Sequence, residues 1–217
     1  MFAPPKRSEI DPRTIKLLVG LIAIFLASLT SSFSVNEIHS ISASYHEGGW
    51  ARDFLVGCLF AISAFLLAYN GKSKLEMILS KIAAISALGV ALFPCSCSGH
   101  GEIVRFVHGA SAGLMFLILA GFCYIFLKRA LEKGHSQAKL RAVIYAICSF
   151  TIVLVILVLG IDSITDGSIS AKMPRLVFYG ENAGLIAFGV AWLTASRVLP
   201  FISSSEERFS PFSDRAD

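Results

Sequence analysis

The chain has 217 residues, of which 55% are hydrophobic and only 16% charged, and its mean hydropathy is +0.70. Soluble domains carry about 25% charged residues, so a single water-facing domain is excluded. The formal charge of +4, from 19 basic and 15 acidic residues, does not point to nucleic acid: the basic residues flank apolar runs, and no zinc finger, helix-turn-helix or basic–aromatic stripe is present.

Residues 1–16 are polar, with Lys6, Arg7, Arg13 and Lys16, and read as a cytoplasmic N-terminal segment. Residues 17–35 form the first apolar run, long enough to cross a bilayer as a helix. A signal peptide is the competing reading, but the run exceeds the usual apolar stretch of about 7–15 residues, which favours a retained helix. A polar connection, 36–52, leads to the second span, 53–69. A charged turn with Lys72, Ser73, Lys74 and Glu76 precedes the third span, 77–94, where Lys81 can snorkel to the surface. The polar turn 95–102 leads to the fourth span, 103–127, and the basic loop 128–141 to the fifth, 142–161. The polar loop 162–175 precedes the sixth span, 176–199, which Pro200 stops. Residues 201–217 are rich in Ser and charge and are expected to lack ordered structure.

Residues 17–200 are therefore expected to be an all-α bundle of six transmembrane helices. Backbone polar groups in lipid must be satisfied within the segment, and the short alternating segments of a membrane β-barrel are missing. Small residues four apart, Gly57/Ala61, Gly109/Gly113 and Gly180/Gly184, are expected to let helices approach closely. Of the 19 basic residues, 15 fall at the N-terminus, the 71–81 turn, the 128–141 loop and the tail. The positive-inside rule then places both termini in the cytoplasm.

Most chemistry-bearing side chains fall on the other side. The first outer connection supplies Glu37, His39, Ser42, Tyr45, His46, Glu47, Trp50, Arg52 and Asp53; the second supplies Cys95, Cys97, His100, Glu102, Arg105 and His108; the third supplies Asp162, Asp166, Arg175, Tyr179, Glu181 and Asn182. An ionisable group at mid-bilayer costs about 2.5–3.5 kcal/mol on insertion scales, so such residues should face the bundle and pair. Asp53, Arg105, His108, Glu181 and Asn182 are expected to converge near the outer ends of the second, fourth and sixth spans. Asp53, His108 and Glu181 are the candidates for acid–base chemistry; Tyr45, His46, Arg52, Arg105 and Asn182 are the candidates for ligand binding. Each also has a structural reading. Asp53 fits a helix cap, His108 a ring bonded to a carbonyl, and Glu181 an ion pair with Arg105 or His108.

His46, His100 and His108 are the candidate metal ligands, with His39, Asp53 and Glu181 as further suitable types. No His-Glu-x-x-His or Cys-x-x-Cys spacing is present, so no metal or cofactor is assigned. Cys95 and Cys97 can close a short disulfide, bind a soft metal with His100 or stay unpaired; the unpaired form is the reading adopted. Cys58, Cys123 and Cys148 sit in apolar runs as small hydrophobes.

Ser42-Ala-Ser-Tyr-His46, followed by Asp53, resembles part of the pattern of the alkaline ceramidase and adiponectin-receptor superfamily of membrane hydrolases. That pattern also needs a late His-x-x-x-His pair, and no histidine follows His135. The superfamily's activity is not carried over. A wider resemblance rests on residues 40–46 (Ser-Ile-Ser-Ala-Ser-Tyr-His), 52–57 (Arg-Asp-Phe-Leu-Val-Gly), 87–94 (Ala-Leu-Gly-Val-Ala-Leu-Phe-Pro) and 187–193 (Ala-Phe-Gly-Val-Ala-Trp-Leu). These look like uncharacterised bacterial multi-pass membrane proteins of unknown function. The resemblance implies a bacterial inner membrane and six helices, and no reaction.

The expected function is binding of a lipid or small ligand at a polar periplasmic site, or service as an accessory membrane subunit. The partners expected are membrane lipids and either another membrane protein or a second copy of the chain, with no nucleic acid. The alternative is a lipid hydrolase using His, Glu and Asp, with or without zinc. A transporter is a weaker third reading, because no internal repeat or broken helix is evident.

Overall fold

The computed structural model describes residues 10–97, 99–101, 103–104 and 106–211, and every regular element among them is helical. In chain order these are α1 (Pro12–Ser32), α2 (Ser44–Glu47), α3 (Gly49–Ala68), α4 (Lys74–Leu92), α5 (Val107–Lys133), α6 (Ser136–Ile164) and α7 (Leu176–Ser196), followed by a 3-10 turn at Pro200–Ile202. All except α2 are long and apolar enough to cross a membrane. The chain is a six-span, all-α, multi-pass membrane protein.

Local chemistry sets several helix ends. Asp11 accepts a hydrogen bond from the Arg13 N–H at 2.8 Å, with Pro12 at the first helical position of α1. Ser73 caps α4 by accepting from the Glu76 N–H at 3.2 Å, in the Ser-x-x-Glu spacing of a capping box. Gly134, at φ 71°, ends α5 in the left-handed region.

Helices overrun the apolar runs that mark them. The segment 128–141 is not a loop, because α5 continues to Lys133 and α6 starts at Ser136. Lys, Arg, Glu and Leu are good helix formers in water as well as in lipid, so a helix need not stop at the membrane boundary. Likewise α3 starts at Gly49, so Asp53 lies within its second turn and does not cap it.

The six long helices form a closed ring. Each packs against its neighbour in sequence, from α1 and α3 through α4, α5 and α6 to α7, and α7 returns to α1. The α1–α7 closure depends on two glycines. A Cβ on Gly20 would lie 2.9 Å from the Gly189 carbonyl oxygen, and one on Gly189 would lie 2.7 Å from that of Gly20. Of the spacings expected to pack helices, Gly180 and Gly184 do face side chains, Leu159 and Phe116, whereas Gly57, Gly109 and Gly113 look onto open space. A pattern four apart marks a smooth helix face but not which neighbour it meets.

The inside of the ring is aromatic. Trp192 is fully buried and packs against Tyr69, Phe122, Phe126 and Phe188 with ring centroids 5.1–6.3 Å apart. The outside is a lipid face. On α6, Val143, Ile147, Phe150, Leu154, Leu157 and Ile161 are all exposed at spacings of three and four, which is one helical stripe. In water so long an apolar stripe would be an association hazard; against lipid it needs no cover.

Past α7 the chain folds back over the end of the bundle that carries α1's start. The Phe209 N–H donates to the Arg197 carbonyl at 3.0 Å, and Arg141 donates to the Ile202 carbonyl at 2.5 Å. Residues of the tail as far as Pro211 are thus placed; 212–217 lie outside the described residues.

Candidate functional site

At the opposite end of the bundle, the connection 33–48 folds down onto the ring. Ile38, Ser40, Ile41, Ser42, Ala43 and Ser44 are all buried, unusual for a loop and possible only because its polar groups find partners. Ser40 accepts from the Ala43 N–H at 3.0 Å and Ser44 donates to the Ile41 carbonyl at 2.6 Å. The connection is pinned from outside as well. The Phe178 N–H donates to the His39 carbonyl at 2.9 Å, Arg175 pairs with Glu37 at 2.8 Å, and the Asn36 N–H donates to Glu47 at 3.1 Å.

Its centre is a three-residue network. Glu181 on α7 accepts from the Ile41 N–H at 2.5 Å and from the Ser42 hydroxyl at 3.2 Å. His108, in the first turn of α5, places Nε2 3.1 Å from the same hydroxyl. Its Nδ1 lies 2.7 Å from the Phe93 carbonyl oxygen. Glu181 and His108 are therefore joined, as expected, but through Ser42 and not as a direct ion pair.

Hydrogen-bond bookkeeping limits the protonation states. Facing a carbonyl, Nδ1 of His108 must carry a proton. Ser42 has one hydroxyl hydrogen. If it goes to Glu181, Nε2 must also be protonated, giving an imidazolium, a hydroxyl and a carboxylate in line. If it goes to Nε2, Glu181 must be the protonated acid that donates to Ser42. Both arrangements satisfy every bond and differ by one proton passed through Ser42. The network can thus pass a proton between His108 and Glu181 through Ser42, and Ser42 stands within reach of a general base.

The other expected residues are distributed differently. Asp53 is exposed and pairs laterally with Arg52 at 3.7 Å; it does not join His108 and Glu181, because its position on α3 points it away from them. Asn182 makes no hydrogen bond with a described residue, and Arg105 and Glu102 lie outside the described residues. Tyr45, Arg52 and Asp53 line one cavity of about 350 Å³ together with Val56, Ala91 and Leu92. His39 and His100 are exposed. His100 stacks on His46 with ring centroids 4.3 Å apart, and His46 Nε2 lies 2.9 Å from the Cys95 carbonyl oxygen.

Cys95 and Cys97 are joined as a disulfide, which corrects the reading as unpaired thiols. One residue between them keeps the two sulfurs within reach of each other. Their sulfurs and a His46 ring nitrogen all lie within 4.8 Å of one another. This is a soft donor set for Zn²⁺ or Cu⁺, available only when the disulfide is opened, because a metal needs thiolates. His108 belongs to the separate Ser42 network.

Ser42 as the bridge and the Ile41 N–H as a donor to Glu181 are not assigned by the sequence pattern. The repeated serines at 40, 42 and 44 and the Ser42-to-His46 spacing draw attention to this stretch, but they do not reveal which hydroxyl meets which helix. No protein-family model, curated protein or solved structure matches the chain.

Proposed function

We propose that this chain is a bacterial inner-membrane protein, with both termini cytoplasmic, whose periplasmic end binds a lipid or another small amphiphile. It would act alone or as an accessory subunit beside a membrane partner or a second copy. The observation that carries this reading is the cavity lined by Tyr45, Arg52, Asp53, Val56, Ala91 and Leu92. Its volume of about 350 Å³ is at the small end of the range for ligand sites. Its polarity is graded. Arg52 and Asp53 offer one charge of each sign at the mouth, while Val56, a helical turn further along α3, and Leu92 on α4 supply apolar contact. That gradation suits a headgroup with an attached chain. The Ser42 network then holds the covering connection in register above the cavity.

Native mass spectrometry of the protein in mild detergent tests this. One amphiphile per chain is expected in the wild type, and Val56→Trp, which fills the cavity, should remove it while the melting temperature is kept. A wild type without a bound amphiphile, or one equally retained in the Trp variant, would sink the reading.

A second reading, a lipid hydrolase, is favoured by one distance: Ser42 Oγ to His108 Nε2, 3.1 Å, the separation of a nucleophile and its base. Glu181 and His108 would then handle protons. A fluorophosphonate probe should label Ser42 in the wild type and fail in His108→Ala if this holds. An unlabelled Ser42 in folded protein argues for binding without hydrolysis.

A further inference from the structure

The end of the bundle that carries the termini holds a second and larger cavity, about 930 Å³, walled by the segment before α1, the turn between α3 and α4 and the ends of α5 and α7. Six cations line it, Arg13, Lys16, Lys72, Arg129, Lys133 and Arg197, against three carboxylates. Three of these cations face a carboxylate and a fourth an aromatic ring. Arg129 pairs with the fully buried Glu76, which also accepts from the Tyr69 hydroxyl at 3.0 Å. Lys133 pairs with Glu207, and Arg197 lies 3.7 Å from it. Arg13 stacks over the Phe209 ring at 5.7 Å.

Lys16 and Lys72 are different. Lys16 is only 6% exposed, yet no carboxylate among the described residues is within ion-pair distance of it. Its ammonium sits 5.4 Å above the Tyr69 ring and 5.2 Å above the Phe126 ring, so the aromatic core forms the floor under it. Lys72, at the mouth, likewise has no ion-pair partner among the described residues. Partial burial, with the positive charges of Arg129, Lys133 and Arg13 and against the attraction of Glu76, holds its ammonium below the ordinary lysine range. Glu76 attracts Lys16 from beyond ion-pair distance but is already engaged by Arg129, and a buried ammonium without a carboxylate in contact is expensive. Cation–π contact with the two rings offsets only part of that cost.

We propose that this cavity is an anion site in which Lys16 from below and Lys72 from the mouth grip a phosphate group. The volume is far larger than one phosphate needs, so the ligand carries more than the anion: a phosphorylated small molecule or the headgroup of an anionic phospholipid. Both offer the same oxygens to the same two ammoniums. Basic pockets between helices at a membrane surface recognise such headgroups. The site lies at the far end of the bundle from Tyr45 and Arg52 and does not depend on ligand binding there.

The full-length protein, melted in detergent with inorganic phosphate against chloride at matched ionic strength, is the first arm. The second arm melts it in nanodiscs of phosphatidylcholine with and without phosphatidylglycerol. Stabilisation by phosphate assigns a soluble ligand, and stabilisation by phosphatidylglycerol alone assigns a lipid. In either case Lys16→Met and the exposed Lys72→Gln should each weaken the effect by about ten- to a hundredfold in apparent affinity, the worth of a charged hydrogen bond. Lys72→Gln serves as the check should Lys16→Met fold poorly. No stabilisation in either arm, or one unchanged in both variants, overturns the proposal.

Discussion

Arg141 and Glu207 form an ion pair of 2.9 Å in which the guanidinium, on α6, is fully buried and the carboxylate comes from beyond α7. Glu207 also pairs with Lys133 and lies 3.8 Å from His135. Glu207→Ala should leave Arg141 buried without its counterion, a loss of up to about 3–5 kcal/mol for a buried pair. Arg141→Met removes the charge as well and should cost less. Thermal unfolding of both variants in one detergent checks the order.

The same pair predicts a pH response. Burial pushes the Glu207 carboxyl up, but the hydrogen bond from Lys133 and the charges of Arg141, Lys133 and His135 outweigh it and hold it below the ordinary carboxylate range. A depressed value means the stabilisation is complete above the ordinary Glu value of about 4.3 and is lost as pH falls through the lower folded value. The amide protection factors of residues 203–211, corrected for the intrinsic pH dependence of exchange, should be constant from neutral pH down to the ordinary carboxylate range and fall at lower pH. Glu207→Gln should show the lowered protection already at neutral pH.

Ser42→Ala should cost about 1–3 kcal/mol, because it strands the His108 ring nitrogen and one Glu181 oxygen in a buried site. Glu181→Gln keeps an acceptor for the Ile41 N–H and should cost less than Glu181→Ala. Equal melting temperatures for all three variants and wild type would show that the network does not hold the connection in place.

Gly189→Ala should lower stability by about 1–3 kcal/mol through overpacking against α1, since its new methyl would meet the Gly20 carbonyl. Gly57→Ala meets nothing and should be neutral or slightly stabilising, as Ala is the better helix former.

Reduction by a dithiol, which opens the Cys95–Cys97 disulfide by two electrons and two protons, exposes two thiols beside His46. The reduced protein is expected to bind one Zn²⁺ per chain, lost in His46→Ala, while the oxidised protein binds none. Elemental analysis after desalting checks this, and equal zinc in both redox forms would refute it.

How far the sequence could be read differs from feature to feature. The six spans follow from apolar length, yet α6 reaches back to Ser136 through residues that read as a loop. Lys16 marks the edge of the first run in the sequence, but nothing local shows that it lies over Tyr69 and Phe126. Glu76 reads as part of a charged surface turn, and is fully buried, because Arg129 and Tyr69 arrive from other elements. Ser42 and Glu181 are 139 positions apart, and their meeting depends on α7 closing the ring against α1.

The sequence alone determined the number of spans, their helical form and the division of charge between the two ends. These are local matters: a segment in lipid must satisfy its own backbone polar groups, so each apolar run settles its conformation without reference to the others. Only the tertiary structure decided which polar side chains share a site. That depends on helix rotation and ring closure, fixed by contacts such as Gly20 against Gly189 that are distant in the chain and carry no repeating pattern.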